Sequence, residues 1–299
     1  MPAEKIACDL KKKRVLVSDG AWGTMLHEMG LRPGECPESW NLTRYKDVLL
    51  IGQAYVSAGA EMLKTNSLGA NRFKLSHFGL SEKVCDINEA AARASREAAG
   101  PDIRVIASMG PTGRMIITGD VTGQDLYEAF SEQAAALEKG GADAVCIETM
   151  IDLQEAVQAI KAAKENTKCE IICTFTFEKT IKGDYRTIMG NSISEAMAVI
   201  ISEGADIIGT NCGNGFRDMI DIVAAIRKTE RLTPVLVHAN AGRPVINDGK
   251  ISFPETPEMA AETVPGLIKA GADIIGGCCG TTPAHIRAIR DAVDNCLKG

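Results

Sequence analysis

Short apolar runs alternate along the chain with longer stretches in which apolar residues recur every three or four positions. The short runs are rich in Ile and Val and offer no polar face, which is the pattern of a strand buried on both sides. They predict strands over 15–19, 62–66, 103–109, 144–148, 171–176, 207–211, 235–238 and 274–276. The stretches between them predict helices over 45–58, 84–99, 124–139, 153–166, 194–203, 216–227, 257–270 and 283–296. Ser194 before Glu195 and Thr256 before Pro257 read as helix starts.

The hand-over from helix to strand carries a repeated signature. Gly59-Ala60-Glu61, Gly141-Ala142-Asp143, Gly204-Ala205-Asp206 and Gly271-Ala272-Asp273 each close a helical stretch and open a strand. Glycine suits the left-handed residue at a helix C-terminus. Eight alternating units predict a single-domain (β/α)8 barrel over 1–299. A doubly wound open sheet is the alternative, because pattern alone does not prove closure. In a barrel, the longer connections after strands one, two, three, five and seven lie on the C-terminal face, where active sites are built.

Composition narrows the class. A net charge of -6 gives no electrostatic case for a nucleic-acid or membrane partner. The run Lys11-Lys12-Lys13-Arg14 abuts a strand and reads as a solvated edge rather than a nucleic-acid contact. No apolar run approaches the ~18 residues a membrane helix needs. The first residues lack the apolar core of a secretory signal, so a reduced cytoplasm is the expected setting. Ten cysteines in 299 residues fall short of a disulfide scaffold. Cys8, Cys36, Cys85, Cys146, Cys169, Cys173 and Cys296 share no local pattern and read as packing or surface residues.

The other three cysteines stand at strand exits. Asn211-Cys212-Gly213 follows the sixth strand, and Gly276-Gly277-Cys278-Cys279-Gly280 follows the eighth. Strands six and eight lie two apart in a barrel, so Cys212 can approach Cys278 and Cys279. The flanking glycines allow the turn that aims neighbouring thiols at one point. Three thiolates suit a zinc ion with an open position. A redox pair at Cys278-Cys279 and three unrelated packing thiols are the competing readings. Asn240, after the seventh strand, can lend an oxygen to the metal or cap its own backbone. No histidine has ligand spacing, and His238 reads as a satisfied core residue. Thiolate-bound zinc keeps an incoming thiol deprotonated, which favours alkyl transfer to sulfur over hydrolysis.

Other strand ends add polar groups to the same rim. Asp19 and Glu148 can bind an ammonium group, or serve as caps or salt bridges. The amides from Gly20 and Ala21 to Thr24 can receive a carboxylate. Thr65, Asn66, Ser108 and Thr149 are further candidate substrate contacts. Trp22 is a pocket wall or a lid. A phosphate loop at Gly276-Gly277 and Thr281-Thr282 is a weak reading, because two cysteines intervene.

Asp19-Gly20-Ala21-Trp22-Gly23-Thr24, Thr65-Asn66-Ser67, Glu148-Thr149, Asn211-Cys212-Gly213 and Gly277-Cys278-Cys279-Gly280 together resemble the homocysteine S-methyltransferase family over nearly the whole chain. Gly34-Glu35-Cys36-Pro37-Glu38 and Gly110-Pro111-Thr112-Gly113 look most like the homocysteine-binding module of cobalamin-dependent methionine synthases. The family motif carries Met where this chain has Trp22. The resemblance implies a zinc barrel with Cys212, Cys278 and Cys279 as ligands and homocysteine sulfur in the fourth position. Asp19 and Glu148 would contact the homocysteine amino group, and Asn240 would lie near the metal. The implied donor is methylcobalamin, a corrinoid carried by a separate partner protein. S-methylmethionine or a betaine is the alternative donor, and a non-catalytic zinc module is the alternative of another class.

Overall fold

The computed structural model describes residues 5–12, 15–247 and 250–298. Lys13 and Arg14 of the basic run, and residues 1–4, 248–249 and 299 of the expected domain, lie outside the described residues. Eight parallel strands form the central sheet: β1 Leu16–Val17, β2 Met62–Lys64, β3 Arg104–Met109, β4 Ala144–Met150, β5 Glu170–Phe175, β6 Ile207–Gly215, β7 Val235–Asn240 and β8 Ile274–Gly277. Their order around the sheet is β1-β8-β7-β6-β5-β4-β3-β2. The ends meet. Ser18 bridges Met62 in parallel register. Glu61 N donates to Val17 O at 2.7 Å and Asp19 N to Met62 O at 3.0 Å. The sheet is therefore a (β/α)8 barrel, and the open-sheet alternative falls.

Side-chain alternation along each strand divides the core in two. One set packs against the surrounding helices; it includes Val17, Leu63, Val105, Ile147 and Val237. The other fills the barrel: Leu16, Met62, Ile106, Cys146, Ile172, Ile207, Leu236 and Ile274. Ile6, from the helix Ile6–Lys12, joins this inner cluster and closes the N-terminal end. Each fully buried Ile, Leu or Val contributes roughly 1.5–3 kcal/mol relative to exposure. Two residues further along the strands, the same inward face carries Lys64, Ser108, Glu148, Thr174 and His238, all buried. The apolar plug thus gives way to a polar layer at the C-terminal end.

The repeated triplet has a structural purpose. Its acidic residue accepts a backbone N–H from the preceding strand: Glu61 from Val17 at 3.1 Å, Asp143 from Val105 at 2.8 Å, Asp206 from Ile171 at 2.9 Å, and Asp273 from Val235 at 2.7 Å. Each even strand is thereby latched to the odd strand before it. Arg290, Arg96 and Arg227 bind the acids of three latches, Glu61, Asp143 and Asp273.

The strands differ in length from the sequence expectation at the C-terminal rim. β1 is shorter, while β4 and β6 run on past the expected ends with register shifts at Ile147/Met150 and Asn211/Gly215. Two hairpins, Glu178–Lys179 with Tyr185–Arg186 and Val245–Asn247 with Lys250–Ser252, decorate the connections after β5 and β7. The helix expected at 194–203 is Ile193–Glu203, and its cap is Ser192, not Ser194. Ser192 and Glu195 form a reciprocal capping box, which satisfies two backbone donors at once. Thr256 caps the helix Pro257–Ala270 as expected, accepting from Met259 N. Among the described residues, no helix is long and apolar enough to cross a membrane.

Candidate metal and substrate site

The three exit thiols converge. Sγ atoms of Cys212, Cys278 and Cys279 all lie within 4.8 Å of one another. Cys212 Sγ and Cys279 Sγ are 3.8 Å apart. A tetrahedral ion with Zn–S bonds of about 2.3 Å has sulfur–sulfur edges of about 3.8 Å; Cys212 and Cys279 stand at that separation and Cys278 lies within 4.8 Å of both.

Local backbone geometry achieves this. Cys212 sits at φ 61°, inside the β6 irregularity that follows Asn211. Cys278 N donates to Ala239 O at 2.6 Å, and Ala241 N donates to Cys279 O at 2.9 Å. The chain then turns back, with Thr281 N donating to Cys278 O at 3.1 Å. Gly280 takes φ +80° in that turn, and a side chain there would collide with Phe253. The weak phosphate-loop reading gains no support from the local packing. Thr281 Oγ1 fills the space over Gly277, accepts from Ala21 N at 3.1 Å and donates to Cys278 O at 2.7 Å.

The crowded thiols influence one another's ionisation. At Cys212 the contact with Cys278 favours ionisation, but the contact with Cys279 and burial oppose it, and the thiol is pushed up to about 11. Cys278 is raised to about 12 by its contact with Cys212 and by burial. At Cys279 the bond with Cys212 acts downward, and Cys278 and burial raise the thiol to about 12.

Beside the thiols lies a cavity of about 220 Å³. Ala21, Trp22, Lys64, Thr65, Asn66, Ser108, Glu148, Thr149, Cys278 and Cys279 line it, and Glu38 completes the wall. Of the expected substrate contacts, Asp19 and Gly20 do not line it. Asp19 is fully buried, with Oδ2 accepting from Trp22 Nε1 and from Lys64 N, both at 2.8 Å. Trp22 is thus a wall, fixed through its indole N–H. Burial lifts the Asp19 carboxyl to about 6 against the opposing pull of Lys64 and Trp22. Gly20 packs against Thr281 and Tyr55.

Glu148 does face the cavity. Ser108 Oγ donates to its Oε1, and Ser108 N donates to Thr65 Oγ1 at 3.0 Å. Asn211 organises the opposite side. Its Oδ1 accepts from Thr149 N and Thr174 Oγ1, both at 2.7 Å, while its Nδ2 donates to Thr149 Oγ1 at 2.8 Å. Thr149 is held at φ 63°. Thr149 and Cys212 are the non-glycine residues with positive φ among the described residues, and Asn211, next to Cys212 in the chain, hydrogen-bonds Thr149. Such strain persists only where surrounding bonds over-determine it, and it concentrates at working sites.

On β7, among the described residues, two side chains hold buried atoms without hydrogen-bond partners. Asn240 Oδ1 is buried with no hydrogen-bond partner, so it does not cap its own backbone. His238 is a core histidine but not a satisfied one. Both its ring nitrogens lack partners, and burial, then Lys64, drives its pKa well below the usual histidine value.

Sequence reasoning passed over Lys64. Its Nζ lies 3.9 Å from both Asp19 Oδ1 and Glu148 Oε2. Burial opposes its charge, but Glu148 and Asp19 outweigh burial and hold it above the lysine range. The signal was present: a lysine within a strand predicted to be buried on both faces.

Three thiols that could hold a metal ion and the cavity faced by Glu148 stand together on the C-terminal rim of the barrel. The profile of the homocysteine S-methyltransferase family matches residues 16–293, and the chain belongs to that family. It is 33% identical over 301 residues to methionine synthase of Mycobacterium leprae (strain TN), and 32% identical to that of Mycobacterium tuberculosis (strain ATCC 25618 / H37Rv). Each match takes in 96% of this chain and 25% of the relative, so the chain spans a quarter of the length of these curated relatives. Among solved structures, the metallated form of the homocysteine methyltransferase MmuM from Escherichia coli matches with a TM-score of 0.79 at 21% identity, covering 96% of this chain and 99% of that one. Its oxidized form matches with a TM-score of 0.78, covering 97% and 99%. At that identity the likeness shows the fold.

Proposed function

We propose that the chain is a zinc-dependent homocysteine S-methyltransferase that yields methionine, with a methyl-corrinoid held by a separate protein as donor. The observation that carries this reading is the convergence of the Cys212, Cys278 and Cys279 sulfurs to within 4.8 Å of one another, one pair at 3.8 Å. Those three residues would hold the metal. Bound there, zinc supplies the positive charge that keeps an incoming thiol deprotonated at neutral pH.

The remaining work belongs to the protein's own side chains. Glu148 Oε2 faces the cavity and accepts from the substrate ammonium, while Ser108 fixes the other carboxylate oxygen. Trp22 and Leu26 give the cavity an apolar flank for the substrate's methylenes. Thr65, Asn66 and Thr149 bound the remaining polar side. Asn240 offers an unpartnered oxygen at the same rim. In the transfer, the sulfur lone pair forms the S–CH3 bond. The bond from methyl carbon to donor breaks with its electron pair left on the donor, and the thiol proton passes to solvent. No general base at sulfur is needed, which accords with the lack of any histidine in ligand or dyad position.

The motifs resembling cobalamin-dependent methionine synthases, and the identity with the mycobacterial enzymes, support the corrinoid donor. The test is zinc content together with methyl transfer from methylcobalamin to homocysteine, in wild type and Cys278→Ser. The wild type is expected to hold one zinc per chain and transfer methyl, and the variant to lose both. Undiminished transfer in the variant ends the proposal. Transfer from S-methylmethionine but not from methylcobalamin would replace the donor alone. Zinc X-ray absorption separates a non-catalytic metal module: there, homocysteine adds no sulfur to the metal's shell.

A further inference from the structure

We propose that Lys64 is a substrate-contacting, specificity-determining residue that binds the carboxylate of an amino-acid thiol. The proposal rests on the homocysteine reading above and deepens it.

Lys64 lines the cavity next to Glu148, Cys278 and Cys279. It is 4% exposed, yet among the described residues its ammonium makes a single hydrogen bond, to Gly277 O at 3.4 Å. The two carboxylates beside it stand at 3.9 Å, beyond hydrogen-bond reach. An ammonium carries three donors, so two lack acceptors in a place where water is scarce. A buried polar group in that state has a strong need for a partner, and the space in front of it is the cavity.

Asp19 sits behind Lys64, sealed from the cavity and committed to Trp22 and the β2 backbone. It therefore anchors the lysine and is not itself available to substrate. Glu148 Oε2, by contrast, has no hydrogen bond and shares the cavity wall. One cation and one anion with free bonding capacity thus stand side by side. That is the complement of an α-amino-acid zwitterion. Binding one adds no net charge to the buried cluster, so no charge is left without a counterpart. A thiol bearing only one of the two groups leaves either Lys64 or Glu148 unsatisfied, and such sites reject the incomplete analogue strongly.

The experiment is calorimetric binding to the zinc-loaded protein of three thiols: homocysteine, 4-mercaptobutanoate (no amine) and 3-aminopropane-1-thiol (no carboxylate). Lys64→Met is expected to weaken the first two by about ten- to a hundredfold and to leave the third within about twofold, the size of one charge-assisted hydrogen bond. Glu148→Gln is expected to weaken homocysteine and the amine thiol while sparing 4-mercaptobutanoate. Lys64→Arg should restore most of the loss. If Lys64→Met does not fold, the charge-balanced pair Lys64→Gln with Asp19→Asn takes its place. A purely structural lysine would weaken all three thiols alike, or none, and either pattern overturns the proposal while the homocysteine reading stands. A wild-type protein that binds none of the three sinks both.

Discussion

The two rims of the barrel are built from the same residue types and treat them in opposite ways. At the N-terminal rim, four acids from the repeated triplet each accept a strand N–H, and arginines bind three of them. At the C-terminal rim, Asp19 and Glu148 share Lys64 at 3.9 Å, Asn240 and His238 hold buried atoms without partners, and Thr149 and Cys212 are strained. The first arrangement pairs each acid with a strand N–H, and the barrel is held by it. The second leaves capacity open, and open capacity is what a ligand uses. Stability and function are thus separated along the barrel axis.

The contrast can be tested from either end. The largest effect is expected from Cys278→Ser. Its loss of methyl transfer should exceed the roughly hundredfold that removal of a supporting partner costs, with little change in unfolding of the metal-free protein. Next is Asn211→Ala, which frees both strained positions. Transfer should fall about ten- to a hundredfold with zinc bound more weakly, as measured by competition with a chelator. At the opposite rim, Asp273→Ala should lower stability by about 1–2 kcal/mol, seen in urea unfolding, because Arg227 and the Val235 N–H lose their acceptor. Its kcat/KM per folded molecule should match wild type. A comparable loss of activity there would erase the distinction between the rims.

A last test concerns pH. Asp19 is raised from 3.8 to about 6 in the folded protein, so between those values the native state binds more protons than the unfolded chain. Stability of the metal-free protein should therefore fall as pH rises from about 3.8 to about 6, by an amount on the order of 3 kcal/mol. Asp19→Asn removes that slope. Parallel stability profiles for wild type and Asp19→Asn would show that Asp19 is not under the constraint described.

The repeat of apolar runs and Gly-Ala-acid triplets was enough to read eight strand–helix units, because each triplet marks a local event: a helix end, a left-handed residue and a strand start; closure of the sheet was not in the pattern. The cysteines were legible for a related reason. Position on one rim follows from strand direction alone, and Cys212 needs only the order β6-β7-β8 to meet Cys278 and Cys279. Other features were not readable. The cap at Ser192 was misassigned to Ser194, since two serines flank one possible start and only the reciprocal bond to Glu195 decides between them. Asp19 looked as available as Glu148, because both end strands.

What the sequence determined by itself was periodic and directional: eight units, one polar rim, three thiols sent toward it. What only the tertiary structure decided was which groups face inward at the same height. Lys64 meets Asp19 and Glu148 because β2 lies near β1 and β4 across a closed barrel, and no spacing along the chain encodes that distance. Closure brings together residues whose side-chain direction is set locally but whose neighbours are set by the whole sheet. The division of labour between the carboxylates, one sealed and one open, exists only once the barrel has formed.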